Sequence, residues 1–159
     1  MERSPDPITP QEHGDRSYLS KLLGTLQSIR SGDFSIRMAG DSEGLEGKIS
    51  DTLNEIVAAN QQMTQQLGLV GQVVGREGKT KKRVAMGIPH GAWREMEESI
   101  NALIDDLLWP TAQVTGAIAA VAKGDLLKRV PLEVDGRPLM GEFLASATIV
   151  NTMISQLET

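Results

Sequence analysis

Three copies of one phrase constrain this chain more than anything else in it. They read Ser31-Gly32-Asp33-Phe34-Ser35-Ile36-Arg37-Met38, Glu77-Gly78-Lys79-Thr80-Lys81-Lys82-Arg83-Val84 and Lys123-Gly124-Asp125-Leu126-Leu127-Lys128-Arg129-Val130. Gly32, Gly78 and Gly124 stand 46 residues apart, and Arg37, Arg83 and Arg129, each followed by an apolar residue, keep the same interval. A fixed period of roughly 20 to 50 residues marks one supersecondary unit copied along a chain. The chain has 159 residues, enough for one ordinary domain, but a third of that length is too short for a good core. Each unit must therefore cover its apolar surface with a neighbour along the chain or with a second copy of the chain.

Between the phrases the apolar residues keep helical spacing. Leu19, Leu22, Leu23, Leu26 and Ile29 form one stripe of an amphipathic helix, which Gly32 ends by taking a left-handed C′ conformation before Asp33 starts a loop. Ile36 and Met38 alternate with polar residues, so the loop, running to about Glu43, is expected to be extended and pressed onto the helices there. From near Gly44, the residues Ile49, Leu53, Ile56, Asn60, Met63, Leu67, Val70 and Val74 recur at alternating intervals of 4 and 3. That is a heptad seam, the signature of a coiled coil, with Asn60 as the polar seam position that fixes register. Gly75 and Gly78 are expected to end this helix, and a second loop runs to about Gly91.

The seam then repeats as Met96, Ile100, Leu103, Leu107, Pro110, Val114, Ala117 and Val121, and Asn54 maps onto Asn101 by the same step of 47 that takes Ile49 to Met96. Pro110 replaces Met63. An interior proline costs a helix about 3 kcal/mol, so a new helix is expected to begin here with Pro110 in its first turn. The third loop runs from Gly124 to about Pro138, and a last helix carries Phe143, Ala147, Val150, Ile154 and Leu157, still in phase at the chain end, as a cut helix would be. The middle copy departs most. Gly68, Gln72 and Gly75 stand where a step of 46 places Leu22, Leu26 and Ile29, or Val114, Ile118 and Val121.

Chemistry-bearing residues are sparse. The net charge of −5 argues against a dedicated nucleic-acid binder, and the absence of cysteine excludes disulfide and thiolate chemistry. Residues 1–17 hold three prolines among charges and no apolar h-region, so they read as a flexible tail and not a signal peptide, and no apolar run approaches a membrane span. A cytoplasmic location is expected. Gly78-Lys79-Thr80 ends like a phosphate-binding loop, but that motif needs a glycine at position 73, which is Val73. Five cations between Arg76 and Arg83 could meet phosphate or acidic lipid and read more simply as a solvated connector. His13 and His90 have no neighbouring ligand set, and Glu95, Glu97 and Glu98 belong to a solvated helix face. No catalytic residue, cofactor, metal or small-molecule substrate is indicated.

A unit of helix, glycine, connector of about a dozen residues and second helix resembles the HAMP domain, the signal-relay module of bacterial sensor kinases and chemoreceptors. The resemblance is carried by Val121-Ala122-Lys123-Gly124-Asp125-Leu126, with Pro110 upstream, and by Asp41-Ser42-Glu43-Gly44 at a second-helix start. More narrowly, Gly44-Leu45-Glu46-Gly47-Lys48-Ile49, Asn54-Glu55-Ile56-Val57-Ala58-Ala59-Asn60 and Asp135-Gly136-Arg137-Pro138-Leu139 through Gly141-Glu142-Phe143-Leu144 look like the front of large bacterial hybrid histidine kinases with long HAMP arrays. The resemblance implies an all-α homodimer of stacked parallel four-helix bundles, with units at 18–65, 66–109 and 110–159, relaying a signal to a kinase or other output domain in cis or trans. The dimer core would be Ile49, Leu53, Ile56, Met63, Leu67, Met96, Ile100, Leu103, Leu107, Val114, Val150 and Ile154. Gly32, Asp33, Gly78, Gly124, Asp125, Asn60 and Pro110 would shape and couple the units. A coiled-coil scaffold that dimerises without switching is the competing expectation.

Overall fold

The structure is a computed structural model that describes residues 10–87 and 90–158. They are mostly helical, in the order α1 (Pro10–Arg30), α2 (Gly44–Val70), a π-helical segment (Gly71–Arg76), α3 (Gly91–Val121), β1 (Glu133–Val134), β2 (Arg137–Pro138) and α4 (Gly141–Leu157). The chain falls into two compact units, Met1–Glu77 with Ala85–Gly87 and Gly78–Val84 with Ile88–Thr159. Among the described residues no helix is long and apolar enough to cross a membrane.

Helix α1 begins earlier than expected. Residues 10–17, assigned above to a flexible tail, are helical; residues 1–9 of that tail lie outside the described residues. Proline stands at the first helical position, where its missing amide proton breaks no intrahelical bond and its fixed φ suits the helix.

The ends of α1 and α3 are built alike. Gly32 and Gly124 have φ of 89° and 83°, in the left-handed region. Gly32 N–H donates to Ile29 O (2.9 Å) and Asp33 N–H to Ser28 O (3.0 Å), while Gly124 N–H donates to Val121 O (2.9 Å) and Asp125 N–H to Ala120 O (3.0 Å). These are Schellman closures, which satisfy carbonyls the helix would otherwise leave open. The acid that follows then folds the connector back, for Asp33 Oδ1 accepts from the Ser35 amide (2.9 Å) and hydroxyl (2.6 Å), and Asp125 Oδ1 from the Leu127 amide (3.0 Å). The Ser35 hydroxyl and then its amide hold the Asp33 carboxyl below its ordinary pKa.

The middle copy ends differently, and its departure is one of phase. Thr25 is the last buried residue of α1 and lies seven residues before Gly32; Ala117 is the last of α3 and lies seven before Gly124. Val70 is the last of α2 and lies eight before Gly78. With Val70 aligned to Thr25 and Ala117, Leu67 matches Leu22 and Val114, Val74 matches Ile29 and Val121, and only Gly71 lacks its apolar counterpart. The extra residue is housed in the π-helical segment, whose wider turn is closed by Glu77 N–H donating to Gln72 O (3.0 Å). Helix α2 therefore passes from α to π at Gly71, and Gly75, expected as a stop, lies inside the π segment.

Two further expectations change. Helix α3 runs unbroken through Pro110, so no new helix begins there. Pro110 is buried, and helix on both sides of it outweighs one missing backbone bond. The third connector is not wholly extended: Glu133 pairs with Pro138 and Val134 with Arg137 in a two-residue hairpin. Its turn, Asp135-Gly136, has positive φ at both positions (48° and 74°), the requirement of a type I′ turn.

Gly47 marks a close approach in the first unit, where a Cβ would lie 2.4 Å from the Ser42 carbonyl oxygen. Gly47→Ala must push the connector off the start of α2, and we expect it to cost about 1–3 kcal/mol, read as a lowered midpoint in urea with an unchanged slope.

Candidate functional site

Each connector is fastened to the helix that follows it by one asparagine. Asn54 accepts from the Met38 amide (2.8 Å) and donates to the Met38 carbonyl (3.0 Å). Asn101 does the same with Val84 (2.9 Å each), and Asn151 with Val130 (2.8 and 2.9 Å). A side-chain amide offers one donor and one acceptor on the same edge, which suits both backbone groups of a single residue in an extended segment. Met38, Val84 and Val130 are all buried.

The arginine before each gripped residue supplies a second fastening. Arg37 donates to the Phe34 carbonyl (2.9 Å) and Gln61 Oε1 (2.7 Å), Arg83 to the Thr80 carbonyl (2.6 Å) and Asp105 Oδ1 (2.5 Å), and Arg129 to the Leu126 carbonyl and Glu158 Oε2 (2.7 Å). Phe34, Thr80 and Leu126 are again 46 apart. The outer partners all reach solvent, Asp105 most at 63%, so these pairs add little energy and chiefly set the connector's course along the helix.

Within the first unit, the Tyr18 hydroxyl donates to Glu46 O (2.8 Å) and lies 3.1 Å from Ser50 Oγ, while Thr25 Oγ1 donates to Met38 Sδ (3.1 Å). Gln62 reaches the Met86 carbonyl (2.9 Å). Within the second unit, Ala117, Val130, Leu139, Ala147 and Ile154 form the buried cluster, with Trp109, Val114, Val121, Leu126 and Val150 packed against it.

The expected dimer core divides in two. Met63 and Ile154 are buried by the chain itself, and Leu53, Ile100, Val114 and Val150 are half-buried. Ile49, Ile56, Leu67, Met96, Leu103 and Leu107 are exposed. In the first unit, Leu22, Leu26, Leu45, Ile49, Leu53 and Ile56 line an open apolar groove. Among the described residues, twenty large apolar side chains are exposed and twelve apolar residues are buried, with Leu139 the one leucine in the second group. Six of the twelve expected core positions are thus exposed in the single chain. Asn60, on the seam, is half-buried and its amide donates to Ile56 O (2.8 Å) of its own helix.

No family model matches the chain, and no solved structure matches it.

The asparagine device was partly visible in sequence, since Asn54 and Asn101 keep the step of 47. Asn151 breaks that step by three residues, those that lengthen the third connector into its hairpin. The signal that finds it is the pairing of each Arg-apolar dipeptide with the first seam-helix asparagine after it.

Proposed function

We propose that the chain is a HAMP-type relay array that works as a parallel homodimer, each repeat completing a four-helix bundle with its copy from the second chain. The observation carrying this reading is the uncovered apolar stripe that lies beside the first two connector clasps. The chain fixes its connectors by itself, three times and by the same device, yet leaves Ile49, Ile56, Leu67, Met96, Leu103 and Leu107 exposed. A second copy in parallel register presents the same stripe at the same height. The continuity of α2 across residues 65 and 66 and of α3 across 109 and 110 supports the relay, because the second helix of one repeat is then the first helix of the next, and a rotation passes along without a loop to dissipate it. The output is a kinase or another domain, in cis or in trans.

The test has two parts. Sedimentation equilibrium at micromolar concentration is expected to give the mass of a dimer, and Leu103→Cys is expected to cross-link chain to chain. Fused to an intact histidine kinase, Ile56→Cys and Leu103→Cys should cross-link at rates that differ between the two output states. A monomer throughout that range overturns the dimer; equal rates in both states leave a dimer that only holds its chains together.

A further inference from the structure

Helix α2 has one residue more than α1 or α3 between its last buried position and the following glycine, and the π-helical segment is where that residue is placed. A π turn closes its hydrogen bond over five residues where an α turn closes over four, so it changes the residue count while the chain still arrives at its glycine. We propose that Gly71–Arg76 is a register joint, at which a one-residue change in the phase of α2, about 100° of rotation, is taken up before it reaches the second connector. The use of the joint rests on the relay reading above; its existence does not.

Three features of the segment fit a joint and not a rigid end. None of its six residues is buried. A Cβ on Gly68, Gly71 or Gly75 would meet no atom beyond its own helix backbone within 4 Å, so nothing packs against the glycine face of these turns, and Val73 and Val74 are only half-buried. The Schellman pair that locks the ends of α1 and α3 is replaced by the Glu77-to-Gln72 backbone bond and an exposed contact of Gln72 Nε2 with Glu77 Oε1 at 3.3 Å. Since Met63 and Val70 are buried, the phase of α2 upstream is set by packing, and the segment absorbs the mismatch.

The experiment is amide hydrogen exchange on the full chain. Amides of Val73 to Glu77 are expected to exchange about tenfold faster than those of Ala119 to Lys123, the matching turn of α3. Deleting Gly71 restores the seven-residue spacing and should bring the two sets to within about threefold of each other. Gly75→Ala keeps the residue count and should slow the same amides without altering exchange in α1 or α4, which covers the case where the deletion unfolds α2. Equal protection of the two turns in the native chain overturns the joint, as does no slowing in either variant. In the kinase fusion, one alanine inserted between Asn60 and Gln61 should change output less when Gly71 is present than when Gly71 is deleted. Exchange as expected with output indifferent to both would keep the joint and count against the relay.

Discussion

Asn151→Ala is expected to be among the most damaging substitutions in the second unit. Val130 is 2% exposed, and its amide and carbonyl both pair with Asn151. Alanine leaves both backbone groups without a partner in a place water does not reach. At about 1–3 kcal/mol for each stranded group the loss is roughly 2–6 kcal/mol. For a chain of this size that lowers the melting temperature by about 5–20 °C, measurable by circular dichroism. Asn151→Asp separates this account from simple loss of packing. An ionised carboxylate still accepts from the Val130 amide but faces the Val130 carbonyl oxygen, whereas a protonated one can donate to it. The folded state therefore favours the protonated form and raises that carboxyl's pKa, so the variant should be closest to the parent at low pH and lose stability as pH rises. A deficit independent of pH would show that the amide's two-way pairing is not what Asn151 contributes.

Leu103→Asp should turn the proposed dimer into a monomer without unfolding the second unit. Leu103 is 58% exposed in the single chain, so the carboxylate meets water there and the fold of one chain should hardly notice it. In a parallel dimer the two aspartates would face each other in an apolar seam, at an uncompensated cost of several kcal/mol. About 4 kcal/mol corresponds to roughly a thousandfold in Kd, enough to dissociate a micromolar dimer in the ultracentrifuge. Ala147→Asp is the contrast, since Ala147 is 1% exposed inside the cluster around Ile154 and a charge there should unfold the unit whatever its oligomeric state. If Leu103→Asp and the parent sediment alike, the stripe serves something other than a second copy.

The parts of this fold legible in sequence were those fixed by local chemistry. A glycine after an apolar stripe has one good use, and Gly32 and Gly124 show it; the starts of α2 and α3 at Gly44 and Gly91 follow from where the seams begin. Features that depend on comparing two periods were hidden. The glycines keep a step of 46 while the seam helices keep 47, and the one-residue difference is the π segment, which neither period shows alone. Pro110 misled because the cost of an interior proline is local, whereas the helix on either side of it is held by packing further along. Asp135-Gly136 is a strong hairpin signal that the other two copies lack, and among the described residues the third connector is the one with strands. Which of the seam residues the chain would bury by itself, Met63 and Ile154 but not Leu67 or Leu103, follows from the tertiary course of the connectors and is not encoded in the heptad.

The asparagine clasp grips main chain and leaves side chains out of the bargain. The clasp itself asks only that Met38, Val84 or Val130 present a backbone amide and carbonyl, and the positions between the glycine and the arginine are set by the turn and by contacts particular to each copy, as where Leu126 packs against the second unit's core. The three connectors have used that freedom, one carrying Asp33-Phe34-Ser35-Ile36, one Lys79-Thr80-Lys81-Lys82 and one Asp125-Leu126-Leu127-Lys128. A fastening blind to side-chain identity lets copies of a duplicated unit drift apart in charge and in surface character while each keeps its strand on its helix. Divergence of the copies then costs little stability, and successive repeats can carry different side chains on one shared frame.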